Sequence, residues 1–181
     1  MGSTTERNNK KSKAVVANAH GLIEELSLLD DASLASAVAS TVRDGAIADK
    51  PRFLAGLSVA SQRTLGMTPF EVQNQAVLRL LEGDVIQMAT GEGKTLVGAM
   101  AATGFALQGK RVHLITVNNY LAARDAEWMR PLVEFFGLTV AAVTESSTRE
   151  ERVTAYRSDV IYAPVTEIGF DHLRDNQITS R

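Results

Sequence analysis

After Gly66, short runs typical of β-strands alternate with longer runs typical of α-helices. This alternation favours an α/β fold with a parallel sheet and helices on both faces, because consecutive parallel strands need a crossover helix between them. The predicted strands span residues 84–88, 111–117, 138–143 and 159–163. The predicted helices span residues 94–108, 119–136, 148–156 and 167–176. Gly109 and Gly137 each follow a predicted helix, where a left-handed residue commonly ends it.

Residues 14–66 have a different pattern, in which Ala, Leu and Val recur at three- and four-residue steps, and this predicts helices. Asp30 or Asp31 is a predicted N-cap, and Pro51 suits the first turn of a helix that ends near Gly66. Residues 1–13 are polar and basic and lack the apolar segment of a signal peptide, so we predict a disordered tail there.

Composition restricts the classes of function. The 181 residues suit one domain, and the net charge of −2 disfavours a general nucleic-acid-binding protein while leaving a local basic groove open. The absence of cysteine excludes disulfides and thiolate metal sites and fits a reducing cytoplasm. The three histidines, His20, His113 and His172, lack metal-ligand spacing and are predicted to be core or surface residues.

Residues 88–95 read MATGEGKT and carry the strongest functional signal, because they follow a predicted strand and open a predicted helix. Gly91 and Gly93 allow the positive φ angles with which backbone N–H groups approach a phosphate. Lys94 is expected to reach the β- and γ-phosphates of a nucleotide, and the Thr95 hydroxyl to hold Mg²⁺. Met88 stands where the usual phosphate-loop pattern has glycine. The alternative is a glycine turn that caps a helix beside an exposed lysine.

The upstream tract GMTPFEVQNQ predicts contacts with an adenine base. The Gln73 amide can donate and accept hydrogen bonds at once, which matches the edge of adenine, and Phe70 and Met67 could pack on its face. The alternative is a solvated glutamine near the start of a helix.

Five tracts in this order, TPFEVQ, MATGEGKT, TVNNYLAARDAEWMRPL, GLTV and EIGFDHLRDN, resemble the first nucleotide-binding domain of SecA, the bacterial preprotein translocase ATPase. The resemblance covers about residues 55–178, and RDAEWM and DVIYAPVTEIGFDHLRD are most similar to the accessory, second-copy SecA of actinobacteria. It implies a P-loop, RecA-like domain of the superfamily-two helicase type. Residues 67–181 would then be the first part of that domain, preceded by the N-terminal helices.

The resemblance also implies a function and assigns site residues. A SecA motor uses ATP and Mg²⁺ to move preproteins through the SecYEG channel, and it works in the cytoplasm at the inner face of the membrane, as a possible homodimer or beside a second SecA. Gln73 matches the glutamine that contacts adenine, and residues 91–95, including Glu92, match the phosphate loop. Arg124 matches an arginine near the nucleotide, although it could equally pair with Asp125 or Glu127.

Two departures from the SecA pattern limit these expectations. The family form T-N-N-E-x-G-F-D-Y-L-R-D-N appears here as PVTEIGFDHLRDN, without the two asparagines. The sequence also lacks the acidic Asp-Glu-x-Asp motif, which in the family lies beyond the position of Arg181. We therefore expect a fragment that ends before the acidic Walker B motif, binds nucleotide weakly and hydrolyses almost none by itself.

Other interpretations stay open at this point. The same core could belong to an RNA or DNA helicase, although the acidic balance and the SecA-like tracts disfavour a nucleic-acid partner. The chain could also be a non-catalytic nucleotide-binding or interaction module. The KKSK tract at residues 10–13 could contact an anionic membrane surface, but a solubilising tail is favoured. Asp171 and Asp175, one helical turn apart, could share a cation, but with Arg174 between them a salt-bridged surface is favoured.

Overall fold

The computed structural model describes the backbone of residues 4–179 and the side chains of residues 9–176. Its helices are α1 (Thr4–His20), α2 (Ile23–Ser27), α3 (Asp31–Ala39), α4 (Lys50–Leu65), α5 (Glu71–Leu81), α6 (Lys94–Leu107), α7 (Asn119–Glu134), α8 (Arg149–Ala155) and α9 (Val165–Thr179). Its strands are β1 (Val42–Arg43), β2 (Ala46–Ile47), β3 (Val112–Thr116), β4 (Val140–Ala142) and β5 (Val160–Pro164). None of the helices in the described range is long and apolar enough to cross a membrane.

The larger sheet is parallel and has the strand order β3-β5-β4. Every residue of the central strand β5 is buried, as expected for a strand covered on both faces. Val160 and Tyr162 belong to the main core with residues of α6 and α7, whereas Ile161 and Ala163 belong to a second cluster with Ala155 of α8. The predicted α/β fold, with a parallel sheet between two layers of helices, is therefore confirmed.

Three helix boundaries in the N-terminal region lie where the sequence predicts them. Asp30 is the N-cap of α3 and accepts a hydrogen bond from the Ser33 N–H at 2.7 Å, Pro51 lies in the first turn of α4, and Gly66 ends α4 with a φ of 67°. These helices do not form a separate core. One apolar cluster contains Leu34 and Phe53 together with Met129 of α7, so packing continues across residue 66.

Two segments of the N-terminal region differ from the sequence analysis. A disordered tail was predicted for residues 1–13, but residues 4–13 belong to α1, and residues 1–3 lie outside the described range. The helix extends upstream because Ser12, Val16 and Ala19 lie on one buried face, a spacing that continues the helical period. Within the predicted all-helical region, β1 and β2 form a hairpin through Asp44 and Gly45, both with positive φ. An Asp-Gly pair favours this turn.

The predicted strand at residues 84–88 is wrong, because the structure has no regular secondary structure there. Val85 is 98% exposed, whereas Ile86 and Met88 pack against the main core. A strand requires a neighbour with which to exchange backbone hydrogen bonds, and no strand in the described residues pairs with this segment. An apolar run of this kind therefore indicates neither that each apolar side chain is buried nor that a partner strand is present.

Arg152 connects α8 to α9. Its guanidinium donates to the Glu167 carboxylate at 2.7 Å, to the Asp171 carboxylate at 2.8 Å and to the carbonyls of Thr144 and Ser147 at 2.7 and 3.0 Å. Arg152 and Glu167 are both buried, so these bonds compensate charges that water cannot reach. Asp171 therefore lies in a salt-bridged cluster, as the sequence favours, and this cluster holds the start of α9 against the sheet.

We expect Asp171→Asn to destabilise the fold at neutral pH and much less in acid. Burial alone would raise the pKa of Asp171, but hydrogen bonds from the Tyr156 hydroxyl and the Arg152 guanidinium outweigh it and hold the pKa below its ordinary value of 3.8. A lowered pKa in the folded state stabilises the protein above pH 3.8, and this stabilisation is lost as the pH falls through the lowered value. Urea unfolding should show a loss of about 1 kcal/mol at pH 7.

Glu150→Gln is the control, because Glu150 is an exposed acid on α8. A difference between wild type and Asp171→Asn that stays constant from pH 7 to pH 3 would contradict this account.

Candidate functional site

The first turn of α6 lacks a side-chain cap. Asp30, Asp49, Asn118 and Thr148 cap α3, α4, α7 and α8, whereas Gly93 occupies the N-cap position of α6 without a capping side chain. The first N–H groups of a helix have no carbonyl partner one turn earlier, and they carry partial positive charge. Gly91 and Gly93, with φ of 88° and 76°, shape the turn that leads into this helix start. The segment therefore has the features of an anion-binding loop.

Lys94, the first residue of α6, turns back toward the loop. Its ammonium donates to the carbonyl of Met88 at 3.2 Å and to that of Ala89 at 2.8 Å. This position places a flexible positive charge beside the uncapped helix start, where the sequence predicts a phosphate. Thr95 follows as the second residue of α6 and is half-buried.

Gln73 connects α5 to the loop. Its amide nitrogen donates to the carbonyl of Glu92 at 2.9 Å, and its amide oxygen accepts the N–H of Phe70 at 2.9 Å. A Cβ atom on Gly93 would lie 2.3 Å from the amide nitrogen of Gln73, so a larger residue at this position would force the Gln73 amide to shift. Both ends of the buried amide are thus engaged by the protein itself. The sequence gives no sign of this contact, because residues 73 and 92 are 19 positions apart.

The predicted aromatic and apolar contacts to adenine lie in different environments. Phe70 is 73% exposed, immediately before α5, and its ring is free to stack against a planar ligand. Met67 packs against the main core, and its carbonyl accepts the Ser61 hydroxyl at 2.7 Å. Adenine contacts by Gln73, Phe70 and Met67 stay predictions, with Phe70 the most accessible of the three.

Arg124 pairs with its neighbour in the sequence. Two of its guanidinium nitrogens donate to the same carboxylate oxygen of Asp125, at 2.9 and 2.6 Å, and this hydrogen bond raises the pKa of Arg124 above its ordinary value. The pairing that the sequence left open is the one present, and Arg124 makes no hydrogen bond to the loop among the described residues. Contact with phosphate stays a prediction, since it requires Arg124 to leave Asp125.

Tyr162 of β5 has a buried hydroxyl without a hydrogen-bond partner in the described part of the chain. Burial raises its pKa, and the negative charge of Asp125 raises it further. Buried polar groups without partners are uncommon, so this hydroxyl marks the α7–β5 contact as a place where the polar groups are incompletely matched. Nothing in the sequence pattern indicated the unpartnered hydroxyl of Tyr162.

The residues present fit a nucleotide phosphate better than a metal held by the protein alone. A phosphate accepts hydrogen bonds from backbone N–H groups, which positive-φ glycines and an uncapped helix start expose, and from a lysine ammonium. Among the described residues no three His, Asp or Glu side chains lie close enough together to hold a metal ion. Thr95 could supply one hydroxyl to Mg²⁺, with phosphate oxygens as further ligands.

The family model described as the SecA DEAD-like domain matches residues 1–181, the whole chain. The chain belongs to the SecA family. It is 61% identical to the protein translocase subunit SecA 2 of Corynebacterium efficiens over 181 residues, which are 100% of this chain and 24% of that protein. It is 50% identical to the protein translocase subunit SecA 3 of Mycolicibacterium vanbaalenii, over 99% of this chain and 23% of that protein.

The SecA resemblance is confirmed, and the names of these actinobacterial relatives agree with the accessory type that the sequence indicates. The chain spans about a quarter of the length of the relatives it matches. The role of each residue at the loop stays a prediction.

Gly91→Ala and Gly93→Ala should lower the free energy of unfolding by different amounts. Both substitutions strain a positive φ, at roughly 1 kcal/mol each, but only the Gly93 Cβ would meet the Gln73 amide, since nothing lies within 4 Å of a Cβ at Gly91. We expect Gly93→Ala to lower the free energy of unfolding by at least about 1 kcal/mol more than Gly91→Ala, as measured by urea denaturation. Equal losses would show that the Gln73 contact is not tightly packed.

Proposed function

We propose that this chain is the ATP-binding portion of a SecA-type motor, with a RecA-like phosphate loop at residues 88–95. The observation that carries the proposal is the combination at one helix start of two positive-φ glycines, no capping side chain and the ammonium of Lys94 folded over the loop. A triphosphate accepts hydrogen bonds from backbone N–H groups and from an ammonium in this arrangement.

In this proposal each residue at the loop has a distinct task. Lys94 leaves the carbonyls of Met88 and Ala89 to bind the β- and γ-phosphates, while Thr95 contributes its hydroxyl to Mg²⁺. Gln73 holds the loop through the Glu92 carbonyl, and the exposed ring of Phe70 stacks on the adenine. Arg124, once released from Asp125, neutralises phosphate charge.

Hydrolysis by this 181-residue polypeptide alone should be very slow. Phosphoryl transfer requires a metal, a residue that orients water and a group that neutralises the developing charge, all in position together. The sequence contains no Asp-Glu-x-Asp motif, so the proposed tasks here are binding and orientation of ATP. In the longer SecA proteins this binding would be coupled to the movement of preproteins through the SecYEG channel, in the cytoplasm at the inner face of the cell membrane.

The interaction partners follow from the family rather than from surfaces of this domain. We propose SecYEG, preproteins and an anionic membrane surface, with a second SecA as a possible partner and no specific nucleic acid. A helicase is the alternative, and a salt-dependent affinity for single-stranded nucleic acid would favour it. A non-catalytic nucleotide-binding module is the second alternative, and ATP binding without hydrolysis in the full-length protein would favour it.

Titration calorimetry with ATP and Mg²⁺ tests the proposal. We expect measurable binding that Lys94→Ala weakens by about tenfold or more, because an ammonium contact with phosphate is charge-assisted. Lys110→Ala is the matched control, since Lys110 is also exposed but lies beyond the end of α6 and over the Phe105 ring. Binding that is equal in wild type and Lys94→Ala would contradict the proposal, and rapid ATP turnover by this chain would contradict the assignment of binding alone.

A further inference from the structure

Several hydrogen bonds within the loop meet at Ala89. Its N–H donates to the carboxylate of Glu92 at 2.6 Å, and its carbonyl accepts the Lys94 ammonium at 2.8 Å and the Glu92 N–H at 3.3 Å. The acidic and the basic side chain of the loop therefore both bind the loop's own backbone, which gives a closed arrangement.

Glu92 lies between the two positive-φ glycines, Gly91 and Gly93, within the segment proposed to enclose the phosphates. A carboxylate and a phosphate are both anions, and both accept hydrogen bonds from backbone N–H groups. Their charges repel each other when they share one small loop. A nucleotide that enters this loop must therefore draw away Lys94 and also meet the charge of Glu92.

We propose that the Glu92 side chain is an internal competitor of phosphate, which keeps the loop closed until nucleotide displaces it. This inference rests on the proposed function and specifies how the same site is regulated. It also revises the role of Glu92, whose backbone lines the loop while its side chain opposes binding.

Two observations favour displacement over a permanent structural role. The Glu92 side chain is exposed and has one hydrogen bond among the described residues, the bond from the Ala89 N–H. The backbone of Glu92 is held independently, because its carbonyl accepts the buried Gln73 amide at 2.9 Å. The carboxylate can therefore move into solvent while Gln73 keeps the loop in place.

Glu92→Gln tests this proposal, because glutamine keeps the size of the side chain and an oxygen that can accept the Ala89 N–H but removes the charge. We expect it to tighten ATP binding by about threefold at low salt, with a smaller gain for ADP, which has one charge fewer, and a smaller gain at 0.5 M salt. Glu92→Ala, which removes both the charge and the hydrogen bond, should bind ATP at least as tightly as Glu92→Gln.

Glu150→Gln is the matched control, since it makes the same change of charge on α8, which packs on the other face of the sheet, and it should leave binding unchanged. Urea unfolding of each variant establishes that it is folded before titration.

The possible outcomes separate the two proposals. If wild type binds ATP in a manner that depends on Lys94, but Glu92→Gln and Glu92→Ala bind equally or more weakly, Glu92 is a structural part of the bound loop and the competitor proposal is overturned. The proposed function then stands. If none of these proteins binds ATP in a manner that depends on Lys94, both proposals fail.

Discussion

The hydrogen bond from the Gln73 amide to the Glu92 carbonyl is the contact on which the arrangement of this domain depends. It ties α5 to the start of α6 across 19 residues of sequence, and it exists because Gly93 leaves room that any side chain would fill. The oxygen of the same buried amide accepts the Phe70 N–H, so both ends of the amide are bound by the protein. The core therefore contributes directly to the position of the loop.

Near this contact, the charged side chains of the loop have partners that they can exchange. Arg124 is bound to Asp125, whose side chain is largely buried, but Lys94 and the carboxylate of Glu92 bind loop backbone at exposed positions. Contacts of this kind are weak in water and can be exchanged at small cost. Arg152, by contrast, is buried with Glu167, and it holds α9 on the opposite face of the sheet. The domain thus combines a rigid frame with a loop whose charged groups are able to change partners.

Much of the frame is predictable because it depends on local patterns. The alternation of strand-like and helix-like runs indicated three strands of the parallel sheet and the helices between them. Asp30 and Pro51 marked helix starts correctly, and Gly66 marked a helix end. The errors arose where structure depends on neighbours distant in sequence. Residues 84–88 have the composition of a strand, but no strand in the described part of the chain lies beside them. The polar start of α1 is helical because α1 buries Ser12, Val16 and Ala19 and packs on α4 and α5. At the loop, spacing indicated the positive-φ glycines and the position of Lys94, but not the hydrogen bonds from the Ala89 N–H to the Glu92 carboxylate and from the Gln73 amide to the Glu92 carbonyl.

The central claim is that the backbone amides at the start of α6 bind the phosphates of a nucleotide. Proton–nitrogen NMR spectra of the labelled chain, recorded while ATP and Mg²⁺ are added, test it most directly. The account predicts that the amide signals of Gly91, Gly93, Lys94 and Thr95 shift most. Gly109 and Gly137, which also have positive φ but lie at helix ends away from the loop, should keep their positions. Unchanged signals at Gly91 and Gly93 with saturating ATP, or larger shifts at Gly109 and Gly137, would contradict it.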